Sequence, residues 1–180
     1  GQLVREIDAL GGEMGKIADK AMIQFRMLNA SKGPAVLSPR AQIDRRRYQI
    51  LMKQAVEQQS GLDLRQGEAV GLLTESDEQG LRSITGVLMR TGAVYNCKAV
   101  ILATGTYLKS KIIMGECQFS SGPDCMFPSV ALSDSIKALG LPLQRFKTGT
   151  PARVNKRQID FSKMERQDGD PVITPFSYTH

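Results

Sequence analysis

Ala99-Val100-Ile101-Leu102-Ala103 is an uninterrupted apolar run, introduced by Lys98 and stopped abruptly by Thr104-Gly105-Thr106. A half-exposed strand alternates apolar and polar residues, whereas a run with no polar member needs cover on both faces. The run therefore predicts a buried strand and, with the helical stretches around it, an α/β class. Open α/β sheets place ligands beyond the carboxyl ends of their strands, and small residues there let the backbone approach a flat or phosphorylated group. The plain alternative is a strand that ends in glycine merely to turn.

The rest of the chain punctuates itself. Leu3, Ile7 and Leu10 have helical spacing, and Gly11-Gly12 stops that helix. Ile23 to Leu28 reads as a short strand and Asn29 to Pro34 as a loop. Ser38-Pro39 is read as the opening of a helix that runs to about Gln59, with Ile43, Ile50, Leu51, Ala55 and Val56 as its stripe. A β-meander is expected next, over Leu62 to Arg65, Ala69 to Thr74, Leu81 to Arg90 and Ala93 to Cys97, with turns at Asp77 to Gly80 and at Thr91-Gly92. Beyond the loop Ser120 to Pro128, a helix Ser129 to Leu139 closed by Gly140 and a strand Leu141 to Phe146 follow. After Val154 the chain turns polar, as at the entry to a second unit.

Composition removes several kinds of chemistry. The only histidine among 180 residues is His180, so a His-based triad, a His/Cys zinc site or a histidine general base would have to be built on the last residue. No metal site and no catalytic residue are assigned. Cys97, Cys117 and Cys125 are odd in number and form no CxxC pair, which reads as reduced, cytosolic packing cysteines. No apolar run approaches the roughly 20 residues of a membrane span. With neither a leader segment nor an initiator methionine, the chain is expected to be a segment of something longer.

The net charge of +6 is clustered. Lys32 to Lys53 holds six cations (Lys32, Arg40, Arg45, Arg46, Arg47, Lys53) against Asp44, and Leu141 to Arg157 holds five with no acid. Two such stretches suit a polyanion such as RNA, or a phosphorylated cofactor, as well as they suit solvated faces. Lys147-Thr148-Gly149-Thr150-Pro151-Ala152-Arg153 joins two cations, two hydroxyls and a glycine in a phosphate-compatible segment. It is not a P-loop, and no GxGxxG occurs.

Gly1-Gln2-Leu3-Val4-Arg5-Glu6-Ile7-Asp8-Ala9-Leu10-Gly11-Gly12, Ile23-Gln24-Phe25-Arg26 and Leu28-Asn29-Ala30-Ser31-Lys32-Gly33-Pro34-Ala35-Val36 resemble the MnmG (GidA) family of tRNA-modifying flavoproteins. Arg40-Ala41-Gln42 with Asp44-Arg45, Ala103 to Thr106, Lys147 to Pro151, Ile159 to Ser162 and Pro175 to Ser177 continue the likeness in order, through essentially the whole chain.

That resemblance implies an FAD-dependent enzyme that works with a MnmE-type GTPase. Its task in the family is to add an aminomethyl or carboxymethylaminomethyl group to carbon 5 of the wobble uridine of tRNA. NADH is the reductant and methylene-tetrahydrofolate the carbon donor, and the full-length protein is expected to be a cytoplasmic homodimer without a membrane segment. The implied fold is a partial Rossmann-like, glutathione-reductase-like FAD domain over residues 1–151, with the start of an insertion domain over 152–180. Carried over residue by residue, FAD contacts fall on Ala69 and Val70, on Ala103, Thr104 and Gly105, and on Ser129, whose hydroxyl and N–H are expected to face phosphate or ribose oxygens. Arg40, Gln42 and Asp44 match a motif beside the flavin. Lys32, Lys147 and Arg153, with Thr148 and Thr150, are expected near flavin or RNA phosphates.

Departures go with the matches. The family's glycine-rich phosphate loop lies upstream of Gly1, and its two functional cysteines align with none of the three here, so the isolated segment is expected not to turn over. Ser120 to Phe127 reads Ser-Ser-Gly-Pro-Asp-Cys-Met-Phe where the family carries a Gly-Gly-Arg run. Two rivals stand beside this reading: a folate- and FAD-dependent tRNA uridine methyltransferase, and a basic, non-catalytic RNA-binding module.

Overall fold

A computed structural model describes residues 1–179; His180 lies outside the described residues. The chain forms two compact units, one of residues 1–64 and 152–180 and the other of residues 65–151. The expected domain division at 151/152 concerns parts of a larger protein. Within this chain the segment after residue 151 packs with the first unit.

The first unit begins with helices α1 (Gln2–Ala9) and α2 (Met14–Ala21). Helix α1 stops where the sequence indicates, with Gly11 in the left-handed region at φ +89. Helix α2 escaped the sequence reading because its eight residues, MGKIADKA, include a glycine and two lysines around a short apolar stripe. It nevertheless supplies much of this unit's core through Ile17, Ala18 and Ala21. Strand β1 (Met22–Leu28) pairs antiparallel with β2 (Ser38–Ile43) in a two-stranded sheet, followed by α3 (Arg45–Gln58). Ser38-Pro39 therefore opens a strand, not the expected helix. Ser38 pairs with Leu28 and Pro39 with Met27, and a two-stranded ribbon leaves an edge where a proline without an N–H is tolerated. The helix start moves to Asp44, whose Oδ1 accepts the Arg47 N–H at 3.0 Å.

The segment after residue 151 is held here by carboxylates that take backbone N–H groups. Asp19 on α2 accepts from Phe176 at 2.8 Å and Ser177 at 2.9 Å, and Asp8 on α1 accepts from Tyr178 at 2.8 Å. Asp170 accepts the Met27 N–H at 2.6 Å while its own N–H reaches the Phe25 carbonyl at 2.8 Å. These bonds seat Phe176 edge-on against Phe25, with ring centroids 6.4 Å apart and both rings buried. Gly15 lets α2 approach α1, since a Cβ there would stand 3.1 Å from Asp8 Oδ1.

The second unit is the expected meander with a helix on it. Strands β3 (Ala69–Ser76), β4 (Arg82–Met89) and β5 (Val94–Asn96) form an antiparallel sheet in sequence order. At the β3–β4 turn Asp77 Oδ1 accepts the N–H groups of Gln79 and Leu81. A separate hairpin, β6 (Lys111–Met114) with β7 (Cys117–Ser120), was not foreseen. Helix α4 (Val130–Ala138) lies on β3, buries Leu132 and Ile136, and hydrogen-bonds Ser135 Oγ to the Leu72 N–H at 3.0 Å.

The buried strand expected over Ala99 to Ala103 is overturned. Those residues have no ladder partner among the described residues, and Ile101 is 92% exposed. A strand with two apolar faces is stable only between neighbouring strands and beneath covering helices, and the small antiparallel sheets of this chain provide neither. Leu62 to Arg65 and Leu141 to Phe146 fail as strands for the same reason, with Leu62, Leu64, Leu141 and Phe146 exposed. The α/β class and the meander stand; the parallel sheet is not formed within these residues.

Replacing Asp19 by alanine strands the N–H groups of Phe176 and Ser177. It is expected to destabilise the first unit by about 2–3 kcal/mol and to make the segment after residue 151 the first site of limited proteolysis, read by urea melts and mass mapping of the cuts.

Candidate functional site

The candidate residues fall in both units, and each group is described within its own. In the second unit Ala69 and Val70 open β3. Ala69 pairs with Met89 and Gly71 with Leu88, so Val70 is the extra residue of a β-bulge. A clamp fixes this bulge from one side. The Glu68 carbonyl accepts the Arg90 N–H at 2.9 Å, and its carboxylate takes Arg90 Nε at 2.5 Å and Nη2 at 2.8 Å in a bidentate pair. The Arg90 guanidinium holds the Glu68 carboxyl below the usual carboxylate range, first through the hydrogen bond and then through its charge.

Ala103 leads into a tight turn of residues 104–107, closed by the Tyr107 N–H on the Thr104 carbonyl at 3.2 Å. Gly105 has φ +54, and a Cβ there would meet no atom within 4 Å. The N–H groups of Ala103 to Thr106 have no acceptor among the described residues. The turn thus presents free donors and an unobstructed glycine, as an anion-binding backbone does.

Ser129 is tied to this turn through Tyr107, and that tie corrects one expectation. Its N–H donates to the Tyr107 carbonyl at 2.9 Å, and its carbonyl accepts the Lys109 N–H at 3.1 Å. The N–H foreseen for a phosphate is therefore spent. The Ser129 hydroxyl makes no capping bond to α4 and stays available as the single polar group of this residue. Tyr107, which the sequence reading passed over, is the backbone link that brings Thr104 and Ser129 together.

Lys147, Thr148 and Thr150 are exposed and outside regular structure. Arg153 belongs to the other unit, so the seven-residue segment is divided at 151/152. In the first unit Lys32 ends a short 3-10 turn, Ala30–Lys32, and is exposed. Arg40 and Gln42 sit on the exposed face of β2, and Asp44 spends one carboxylate oxygen as the cap of α3. Opposite them on β1, Arg26 faces Arg40 and Gln24 faces Gln42. Both β1 residues belong to a motif of the family likeness, but no site role was expected of either. The signal was the alternation Gln24-Phe25-Arg26, which buries Phe25 and turns its neighbours to the other face.

Where the family's Gly-Gly-Arg run was missed, Asp124 and Cys125 stand consecutively at φ 53 and φ 61. Aspartate tolerates that region, whereas cysteine has no local hydrogen bond to offset the Cβ crowding.

The family model described as "Glucose inhibited division protein A" matches residues 1–180. The "tRNA uridine 5-carboxymethylaminomethyl modification enzyme MnmG" of Caldicellulosiruptor saccharolyticus is 57% identical over 180 residues, 100% of this chain and 28% of that protein. The protein of the same name from Alkaliphilus oremlandii is 56% identical over 178 residues, 99% of this chain and 28% of that protein. Among solved structures, Aquifex aeolicus GidA in its form I crystal superposes with a TM-score of 0.87 at 45% identity, covering 98% of this chain and 29% of that one. The chain spans little more than a quarter of the length of these relatives.

Two outcomes follow for the second unit. Glu68 has a lowered carboxyl pKa in the folded protein, so its contribution is present above the unfolded value and disappears as pH falls through the folded one. Glu68→Gln is expected to lower urea stability at pH 7, with the difference from the parent shrinking as pH falls through the lowered folded value. Cys125→Gly is expected to stabilise the unit by up to about 1 kcal/mol, measured as a shift in the urea midpoint.

Proposed function

Because the chain belongs to the glucose inhibited division protein A (GidA) family, matched along its whole length, we propose that it is one part of a flavin-dependent tRNA-modifying enzyme. The whole enzyme acts on carbon 5 of the wobble uridine and leaves a carboxymethylaminomethyl or aminomethyl group. The activity named for relatives at 57% and 56% identity supports this reading. NADH as reductant, methylene-tetrahydrofolate as carbon donor, a MnmE-type GTPase as partner, a homodimeric state and a cytoplasmic location complete it. No helix among the described residues is long and apolar enough to cross a membrane. Residues 1–151 are assigned to the FAD domain and 152–180 to the start of its insertion.

The residues present fit part of an FAD site. FAD supplies two-electron redox chemistry when bound. The turn Ala103-Thr104-Gly105 would offer backbone N–H groups to its phosphate or ribose oxygens, and Ser129 would offer its hydroxyl. Ala69 and the bulged Val70 would contribute backbone, held in place by the Glu68–Arg90 clamp. Arg40 and Gln42 would bear on the flavin side, and Lys32, Lys147, Thr148, Thr150 and Arg153 on phosphates of cofactor or RNA. The observation that carries the cofactor reading is the open glycine at φ +54 in a turn with unspent donors. A role in catalysis is assigned to none of these residues.

The full-length protein carrying this chain is expected to purify yellow. Gly105→Val puts a β-branched side chain into a left-handed position and into the open approach, so flavin affinity is expected to fall about tenfold or more. The check is the ratio of flavin to protein absorbance after dialysis, alongside a melt of the apoprotein. A colourless full-length parent that still bound tRNA would return the protein to the class of RNA-binding modules.

A further inference from the structure

Helix α3 is charged against its own dipole. Acids in the first turn and cations in the last turn stabilise a helix. Beyond its cap, α3 carries Arg45, Arg46 and Arg47 in the first turn with no acid among them, and Glu57 in the last turn with no cation. Arg46 and Arg47 are exposed and belong to no ion pair among the described residues. The adjoining acid, Asp44, spends Oδ1 on the Arg47 backbone N–H at 3.0 Å. These guanidinium groups are a cost to the free helix that a bound polyanion would remove.

They stand on an open side. Tyr48, Leu51, Met52, Ala55 and Val56 are half-buried at helical spacing, and α3 packs beside α2. No α3 residue is fully buried. On the exposed side Arg46, Ile50 and Lys53 follow one another at i, i+4 and i+7, with Arg47, Gln49 and Gln54 around them. Lys53 lies about 10 Å along the axis from Arg46. Its ammonium is 3.6 Å from Glu57, an exposed pair that contributes little and gives way readily to a phosphate.

The make-up of this side decides between classes of partner. A protein interface has an apolar centre, whereas Ile50 is the one exposed apolar residue of the helix. A nucleic-acid interface is more polar and far more positively charged. Guanidinium forks take phosphate oxygens in pairs, and glutamine amides donate to phosphate and sugar oxygens.

We propose that the exposed side of α3 binds an RNA strand along its sugar–phosphate backbone, with phosphates on Arg46, Arg47 and Lys53 and with Gln49 and Gln54 beside them. RNA as the polyanion rests on the proposed tRNA-modifying function; the charge pattern of the helix does not. These five residues are distinct from those assigned to flavin.

The test uses the full-length protein and a tRNA anticodon stem-loop, with affinity measured across a salt series. Arg46→Gln with Arg47→Gln is expected to lower affinity about tenfold at low salt and to flatten the slope of log K against log salt by about one to two. Flavin content is expected to hold. Arg46→Glu with Arg47→Glu is expected to cost more affinity while the melting temperature holds or rises, because carboxylates suit a first turn. Arg82→Gln with Lys98→Gln removes the same net charge from exposed positions of the other unit and is expected to leave affinity within about twofold, its phosphate contacts being intact. Unchanged RNA affinity in the α3 variants, or an equal loss in the control pair, overturns the assignment. Unchanged RNA affinity with lost binding of a MnmE-type GTPase also overturns it, in favour of a protein-binding surface. A yellow parent whose RNA affinity ignores α3 sinks this inference alone. A colourless parent whose RNA affinity depends on Arg46 and Arg47 sinks the flavin enzyme and leaves the helix surface standing, and a parent without RNA affinity sinks both.

Discussion

Two helical carboxylates organise the first unit by accepting the backbone of a distant segment. Asp19 and Asp8 together take the N–H groups of Phe176, Ser177 and Tyr178 in sequence. Hydrogen bonds to a charged acceptor contribute about 1.5–3 kcal/mol each, more than an exposed ion pair does. Their geometric effect is larger than that number suggests. They place Phe176 against Phe25, close the core of α2 and β1, and bring Gly169 and Asp170 alongside β1, where both line a groove. Gln167, which orients both Gln24 and Arg26, belongs to this same segment. A polar contact far from Arg26 and Arg40 thus sets the surface on which they stand.

The second unit is organised by a different device. Its hairpin is closed at one end by the Asp77 turn and at the other by the Glu68–Arg90 pair. Between them α4 lies on β3 and is joined to it by Ser135. The result is a scaffold that holds a bulge at Val70, with Ser129 at the start of α4 bonded through Tyr107 to the Thr104 turn. Loops positioned by a rigid frame are where binding groups concentrate. The Tyr107 carbonyl narrows what this frame offers: it consumes the Ser129 N–H, so this residue is left with its hydroxyl beside the donors of the turn.

Local signals were legible wherever a short stretch decides its own conformation. Gly11-Gly12 ends a helix, Asp77 to Gly80 makes a turn, and Leu81 to Arg90 reads as the strand that forms over Arg82–Met89, because capping, turn chemistry and strand composition need only near neighbours. The family, too, was written in residues that are spread through the chain. Pairing and register were not. Ser38-Pro39 carries a helix-start pattern, yet it folds as a strand because Leu28 and Met27 lie beside it. Ala99 to Ala103 has the composition of a buried strand, yet finds no ladder in these residues because burial is supplied by other segments. Arg26 carried only the family likeness in the sequence, since its place opposite Arg40 is set by strand pairing. The amino acids by themselves determined the class of fold, the meander and the small-residue turn, all of which follow from short-range sterics and polarity. Only tertiary structure decided which carboxylates became clasps, which N–H groups stayed free and which charges face each other, because those outcomes depend on distances between residues up to 170 positions apart.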